Sequence, residues 1–587
     1  MHRHESVPDS RFTRAPVCGD SGGFWLLAAM GAAGMFFGQP NNWLHFPPLV
    51  LLYPFALYLT ALRAPTAKDR LLRCFTLGLA AHCATLYWLV HPMHDVAAVP
   101  YIGAAACVGL LSCYLALFSA LAGLGMRGLW DTAIVITSRG ASSGYLPQVL
   151  AALLAGFVYG GFEVLNGWLF TGFPWVSLSS AFAFLPAWVQ TASITGSYGL
   201  SALYASAASL AALAWVTSAF RLRLVAGILG LVLCLAQPLY GVYRLSGPEP
   251  EPAGPEVTLL MVQGNIDQNQ KWEPAFQKGT LDLYLELTAR ALADYGKDHI
   301  GQTGPTLVLW PETALPFYYQ LHKEYADEVY RFALRHKLNI MFGTLGIGDD
   351  GSGMNALYNR LYLVSFRGGI SGWYDKKHLV PFGEYIPFAA DIAFLRNLLQ
   401  GMDFSSGIHT ESLQLEVPPA PRDPLADAPL PPQINGDPQV FSHKDRLPGQ
   451  MFSLGALICY EAIFPYLAQQ RVAEGANILV NVSNDAWFRR SSAPLQHLAL
   501  TAMRAVEQAR PIVRCTNTGI SAIIDARGRI AAYVDKMFVA DSFRGAVIPS
   551  REKTLFHRMF PAQDYFLIIM AIFSFLCHIS IKIRHIS

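Results

Sequence analysis

Three stretches of this 587-residue sequence end an apolar run on groups that can move protons or acyl chains. "LICYEAIFP" presents Cys459, "LVLWPETALP" puts Glu312 just past a buried run, and "WYDKKHLVPFGEYIP" carries Lys376, Lys377, His378 and Glu384. A thiol becomes a useful nucleophile at neutral pH only beside a base or a cation. A glutamate can take the thiol proton, and a lysine can stabilise both the thiolate and a developing oxyanion. A Glu–Lys–Cys set is therefore chemically sufficient for acyl transfer, with no metal and no cofactor. Each piece alone also has a plainer reading. A strand-end cysteine packs as a small hydrophobe, a glutamate after a strand is solvated or caps a helix, and Lys376 and Lys377 read equally as surface charges. His378 is the tempting base, but a single loop histidine is more often structural.

The elements that must position these groups begin at Val257. "VTLLMVQG", "TLVLWPE", "NIMFGTLG", "NRLYLVSF", "FSLGALICYE", "NILVNVSND", "PIVRCTNTG" and "SAIIDARGRI" read as strands. Amphipathic helical stretches such as "PAFQKGTLDLYLELTARALADYG" and "PLQHLALTAMRAVEQAR" fall between them. Strands alternating with helices predict an α/β domain with helices covering the sheet faces. In such sheets functional groups gather beyond the carboxyl ends of strands, where the three stretches lie. Residues 414–447, rich in Pro and Asp, cannot make a core and read as a flexible surface insertion.

The first 245 residues are different. Residues 20–245 hold only 14 of the 84 charged residues, in a chain that is 53% hydrophobic. A bilayer core needs about 20 apolar residues per helix. Candidate spans are 23–38, 43–62, 74–92, 97–126, 146–166, 186–216 and 224–243, with an eighth at 565–581. Basic residues alternate across them. The N-terminal tail, the second, fourth and sixth connections and the C-terminal tail hold 13 Lys and Arg; the first, third and fifth connections hold none. The bias predicts eight spans with both termini cytoplasmic and residues 246–560 outside the membrane's cytoplasmic face. The first span is then no removable signal peptide. Glu163, inside the fifth span, is either functional or a hydrogen-bonding group near the outer interface. The following loop carries Trp168, Phe170, Phe173 and Trp175, which suit interfacial anchoring or a lipid entry path.

Composition excludes little else. A net charge of +2 favours no partner, and no basic stripe or nucleic-acid-binding signature occurs. Of nine cysteines, six lie in the apolar spans and Cys18 lies in the tail; no C-x-x-C pair suggests zinc or a disulfide framework. Cys515 reads as a buried small residue.

Taken together, "LWPETALP", "YDKKHLVPFGEYIP", "LICYEAIFP" and "NVSNDAWF" resemble the motifs of the nitrilase, or carbon–nitrogen hydrolase, superfamily. With "VQGNIDQNQKW", "GWLFTGFPW" and "GSYGL" they resemble its integral membrane branch, the apolipoprotein N-acyltransferases, over nearly the whole chain. The resemblance implies an αββα sandwich on an eight-helix membrane base: 1–245, the catalytic domain 246–560, and a last span with its tail at 561–587. It implies a triad of Glu312, Lys376 and Cys459, favouring Lys376 over Lys377. It implies that Glu384 supports the triad, that Trp272, Tyr460 and Glu461 shape the acyl and substrate site, and that Asn484 and Trp487 border the pocket. The implied reaction moves an acyl chain from a membrane phospholipid, phosphatidylethanolamine first among them, to the α-amine of a diacylglyceryl-cysteine lipoprotein. The implied intermediate is a Cys thioester, and the implied setting is a bacterial inner membrane with the catalytic domain periplasmic. Two other readings remain at this point: a membrane-anchored amidase or nitrilase using water, and an inert scaffold. The sequence departs from the family's pattern by its Pro-rich insertion between Lys376 and Cys459.

Overall fold

The computed structural model describes residues 21–138, 144–268, 270–295, 305–349, 355–385, 404–408, 413–417 and 451–586. Cys18, the basic residues of the N-terminal tail, Arg139 and residues 418–447 of the Pro-rich insertion lie outside the described residues. The chain divides into two compact units: residues 1–247 with 555–587, and residues 248–554. The second boundary falls a few residues before the expected break. Phe556 belongs to the first unit, where its ring packs under Gly196 so closely that a Cβ there would lie 2.4 Å from it.

The first unit is helical. Its main helices are α1 (Ser21–Gly38), α2 (Leu52–Arg63), α3 (Ala67–Leu86), α4 (Tyr101–Ser138), α5 (Leu146–Trp168), α6 (Ala192–Val216), α7 (Phe220–Ser246) and, after the second unit, the C-terminal helix Ala562–Ile586. Among the described residues six helical stretches are long and apolar enough to cross a membrane; Gly22–Gly38 and Pro47–Arg63 are apolar but shorter. Most helix bounds shift by several residues, and two spans change more. The fourth helix runs on to Ser138, because Arg127 and Asp131 pair one turn apart at 2.6 Å and keep its polar end helical. The sixth stretch is not one helix: Pro186–Val189 forms a separate turn, and Gly196, at φ +70°, kinks α6 near its start. Close approach is made by small residues, as where Gly156 of α5 meets the backbone of Ala202 and Ser206 in α6.

The second unit contains two sheets. One runs β13–β1–β2–β4–β5–β6, with β3 beside β4: β1 is Val257–Gln263, β2 Thr306–Leu309, β3 Leu315–Tyr318, β4 Asn339–Asp349, β5 Asn355–Ser365, β6 Gly369–Asp375 and β13 Asp541–Val547. The other runs β12–β11–β10–β9–β8–β7, from Ile530–Tyr533, Ala522–Ile524, Ile512–Thr516, Ile478–Ser483 and Met451–Ile458 to Leu413–Glu416. In each sheet three adjacent parallel strands (β1, β2 and β4; β8, β9 and β10) are flanked by antiparallel neighbours, and the short β3 also pairs parallel with β4. Residues 414–416, read as loop, belong to β7, because "LQLE" alternates and pairs with Leu454–Met451.

The alternation of side chains explains the layers. Val257, Leu259, Met261, Leu307 and Leu309 share one core with Ile458, Val480, Val482 and Val513 of the other sheet. Leu260, Val262, Val308 and Trp310 point the opposite way, into a second core with Leu281 and Tyr284 of the helix Pro274–Tyr295 (α8) and Val329 of Lys323–His336 (α9). Burial on both faces is why these strands read as unbroken apolar runs. On the second sheet, Pro465–Ala473 (α10) follows β8 and the buried helix Ala493–Gln508 (α11) follows β9. The architecture is the expected αββα sandwich, alongside a multi-pass helical unit.

Candidate active site

Each candidate group sits where a strand ends. Glu312 follows β2 and Lys376 follows β6; both are buried, at 6% and 1% exposure. Cys459 follows β8 on a sharp turn: its φ is +51°, a left-handed conformation that a non-glycine residue adopts only when its surroundings hold it there. Two donors hold its carbonyl, Asn481 Nδ2 at 3.3 Å and His497 Nε2 at 3.1 Å. A carbonyl only accepts, so His497 carries its proton on Nε2.

Glu312 accepts from Asn359 Nδ2 at 2.8 Å and faces Lys376 Nζ at 3.6 Å, both through Oε1. Among the described residues Oε2 has no donor, which leaves it available to receive a proton. Lys376 is pinned by Glu384 Oε1 at 2.8 Å; Glu384 is held in turn by Asn359 Nδ2 at 3.0 Å and the Val380 N–H at 2.8 Å. Burial alone would lower the Lys376 pKa, but Glu384 and Glu312 outweigh it and hold the ammonium above its ordinary value. The Cys459 thiol is pushed well up, first by burial, then by the charge of Glu312, with Lys376 opposing. The resting group is therefore a thiol, and its activation needs a base.

The other expected residues take distinct places. Lys377 is half-buried and binds through its backbone N–H to Glu461. His378 is neutral: burial, with Lys376 adding, lowers its pKa to about 4. Its ring lies 4.0 Å from that of Phe464, and Nδ1 meets the Tyr466 hydroxyl at 2.7 Å. Glu461 is fully buried and accepts from the Ile458, Lys377 and His378 N–H groups and the Tyr374 hydroxyl. It ties the Cys459 turn to the Lys376 loop. Tyr460 packs edge-on to Phe464. Asn484 joins Gln268 at 2.7 Å and Asn517 at 3.1 Å, linking two loops at the strand ends. Trp272 and Trp487 are half-buried on those loops.

Sequence reasoning missed seven groups here: Lys271, Asn359, Asn481, Ser483, Asp485, His497 and Arg514. Lys271 is 2% exposed and donates to the Glu312 carbonyl at 3.4 Å; burial lowers its pKa to about 8, with Glu312 opposing. Behind the cysteine, Asp485 accepts from Arg514 at 2.8 Å and from Ser483 at 2.9 Å. A signal existed: Asn359, Asn481, Ser483 and Arg514 interrupt otherwise apolar strands, and buried polar groups must find partners. Cys515 is the contrast. It is fully buried in β10, and its Sγ donates to carbonyls of Val262 and Leu309.

In the helical unit, Glu163 accepts from the Leu178 N–H at 2.8 Å and from Ser177 Oγ at 3.3 Å, fastening the loop after α5. That loop divides: Phe170 is 80% exposed, whereas Trp175 is buried with its ring 4.8 Å from that of Trp88.

Comparison with known proteins agrees with both units. Residues 261–537 match the carbon-nitrogen hydrolase family, and residues 30–210 match the apolipoprotein N-acyltransferase N-terminal domain. The apolipoprotein N-acyltransferase of Geobacter metallireducens is 36% identical over 84% of this chain and 82% of its own. Its namesakes in Nitrosomonas europaea and Methylococcus capsulatus are 33% and 31% identical, each over 89% of this chain and 90% of their own.

Proposed function

The chain belongs to the apolipoprotein N-acyltransferase family, and on that premise we propose that it transfers a fatty acyl chain from a membrane phospholipid to the α-amine of a diacylglyceryl-cysteine lipoprotein through a thioester on Cys459. The observation that carries this reading is the pairing of Glu312 with Lys376, 3.6 Å apart, both of which act electrostatically on the Cys459 thiol at its positive-φ turn.

In the first half, Glu312 Oε2 takes the thiol proton and Sγ attacks the donor's ester carbonyl. Lys376 stabilises the tetrahedral oxyanion, and the lysophospholipid leaves with the proton from Glu312. In the second half the acceptor amine attacks the thioester, Glu312 takes the amine proton, and the thiolate leaves and is reprotonated. Lys376 can serve the oxyanion in both halves because Glu384 fixes its ammonium without help from substrate. Such a preorganised donor is worth about 10²–10³ in rate.

Both substrates keep their chains in the bilayer on this reading, since extracting a lipid costs about 0.8 kcal/mol per CH₂. The proposal includes eight spans, cytoplasmic termini and a periplasmic catalytic unit. It rests there on the 13-to-0 split of basic residues and on six long apolar helical stretches with two shorter ones. Phosphatidylethanolamine is the expected donor. The test is peptide mass spectrometry of the full chain incubated with phosphatidylethanolamine and no amine. A single hydroxylamine-labile acyl group on the Cys459 peptide, discharged by a diacylated lipopeptide, is expected. Lipopeptide acylation by a Cys459→Ala variant would overturn the assignment, and discharge by water alone would make the protein a hydrolase.

A further inference from the structure

Ser483 stands at the end of β9, fully buried, with its hydroxyl between two acceptors. Oγ lies 2.9 Å from Asp485 Oδ1 and 3.4 Å from Cys459 Sγ. A hydroxyl has one proton to donate, so it can serve only one of them at a time. In the resting thiol state the carboxylate is the stronger acceptor and takes the bond. Asp485 does not depend on it for charge compensation, because Arg514 Nη2 lies 2.8 Å from Oδ2. Arg514 also holds His497, its Nη2 lying 3.1 Å from Nδ1, while Nε2 holds the Cys459 carbonyl. The turn therefore stays in place whichever way the hydroxyl points.

We propose that Ser483 is a further catalytic residue, whose hydroxyl turns from Asp485 to the Cys459 sulfur whenever that sulfur carries negative charge. Bookkeeping at each step is simple. Glu312 removes the S–H proton, the Ser483 O–H bond stays intact, and its hydrogen bond moves from Oδ1 to the thiolate. The same rotation assists the second half-reaction, where the C–S bond breaks and the electron pair returns to sulfur. Once the thiol is reprotonated, the hydroxyl returns to Asp485. The sulfur's charged surroundings are Glu312, Lys376 and Asp485, with Glu384 and Arg514 behind them; His497 faces the carbonyl. None of these but Asp485 bonds the Ser483 hydroxyl among the described residues, so removing that hydroxyl removes one donor and no charge.

This inference rests on Cys459 being the nucleophile, and the experiment separates the two. The full chain in detergent is alkylated with iodoacetamide across pH, and labelling is followed on the Cys459 peptide; single-turnover discharge of the acyl-enzyme by lipopeptide is measured alongside. Ser483→Ala should move the midpoint of Cys459 labelling up by about one pH unit and slow discharge about tenfold. Ser483→Thr, which keeps a hydroxyl, should restore both. A Ser483→Ala variant with an unmoved midpoint and normal discharge overturns the proposal, leaving the hydroxyl to Asp485 alone. Should that variant not fold, Ser483→Val, which fills the space without a donor, must give the same upward shift. No acyl group on Cys459 in the wild-type chain would sink the nucleophile assignment itself, independently of Ser483.

Discussion

Glu163 in the helical unit and Glu312 in the sandwich are both carboxylates held inside the protein, and they are held differently. Glu163 receives a backbone N–H on one oxygen and a serine hydroxyl on the other, and that serine is itself tied to Ser179 and Ser201. Its donors are neutral and local, and they use both oxygens to fasten a loop. Glu312 receives its amide donor and its ammonium neighbour on one oxygen, which leaves the other without a donor among the described residues. The difference separates a carboxylate spent on structure from one available to exchange a proton. Oxygen occupancy distinguishes the two; burial does not.

Removing charge without changing shape tests that contrast most sharply. Glu312→Gln should lower the rate of Cys459 acylation by about 10²–10⁴, the usual worth of a general base, with unchanged expression and thermal midpoint. Glu163→Gln should do the reverse: acylation stays within a few-fold of wild type, and stability falls by about 1 kcal/mol as the Ser177 hydroxyl, facing an amide NH₂, must turn from donor to acceptor while the amide oxygen keeps the Leu178 N–H. A comparable loss of rate from both changes would erase the distinction. Next in size, Lys376→Met should cost about 10²–10³ in rate, whereas Lys377→Met should leave single-turnover acylation nearly unchanged, since Lys377 enters the site only through its backbone N–H.

The two soluble-unit cysteines extend the comparison to thiols. Cys459 ends a strand at positive φ, within electrostatic reach of a carboxylate and an ammonium, whereas Cys515 sits inside a strand with its thiol directed at the carbonyls of Val262 and Leu309. Cys459→Ala should abolish the acyl adduct at little cost in stability. Cys515→Ala should preserve the adduct and destabilise by about 1–2 kcal/mol, through a small cavity and the loss of one thiol hydrogen bond to a strand carbonyl. Denaturation midpoints and adduct yields on the same preparations read both effects.

What the sequence disclosed follows the same physics. The strands at 257–263, 306–309, 451–458 and 478–483 were legible because two buried faces make continuous apolar runs, and the groups beyond their ends were legible as chemistry. The short strand Leu413–Glu416 was lost against the Pro-rich residues that follow it, and the kink at Gly196 was hidden in an uncharged stretch of small residues. The support network was harder to see. Asn359, Ser483, His497 and Arg514 lie on β5, β9, α11 and β10, outside the three stretches that carry Glu312, Lys376 and Cys459, and the fold gathers them. Each was nonetheless a polar residue in an apolar setting. The arginine in "PIVRCTNTG" was the plainest sign, since a fully buried guanidinium implies an anionic partner.

Lys271 supplies the finest distinction between structure and chemistry, because burial gives it a measurable pH signature. Its pKa falls to about 8 in the folded chain, mainly through desolvation; unfolded, a lysine titrates at about 10.4. Below pH 8 both states hold the proton, and the folded state bears the full cost of a desolvated ammonium. Between about 8 and 10.4 the unfolded state binds more protons, so stability rises with pH, by at most about 1.4 kcal/mol per unit. Lys271→Met lacks this term. The stability of wild type relative to Lys271→Met should therefore be constant up to about pH 8, rise in the favour of wild type through the next two units, and level off. Loss of the bond to the Glu312 carbonyl shifts the whole curve without changing its slope. Thermal midpoints of the two full chains at pH 7, 8, 9 and 10 provide the comparison. A difference that stays flat with pH would mean that Lys271 keeps its proton in the fold, balanced by Glu312, and the carboxylate opposite would then have two permanent ammonium neighbours rather than one.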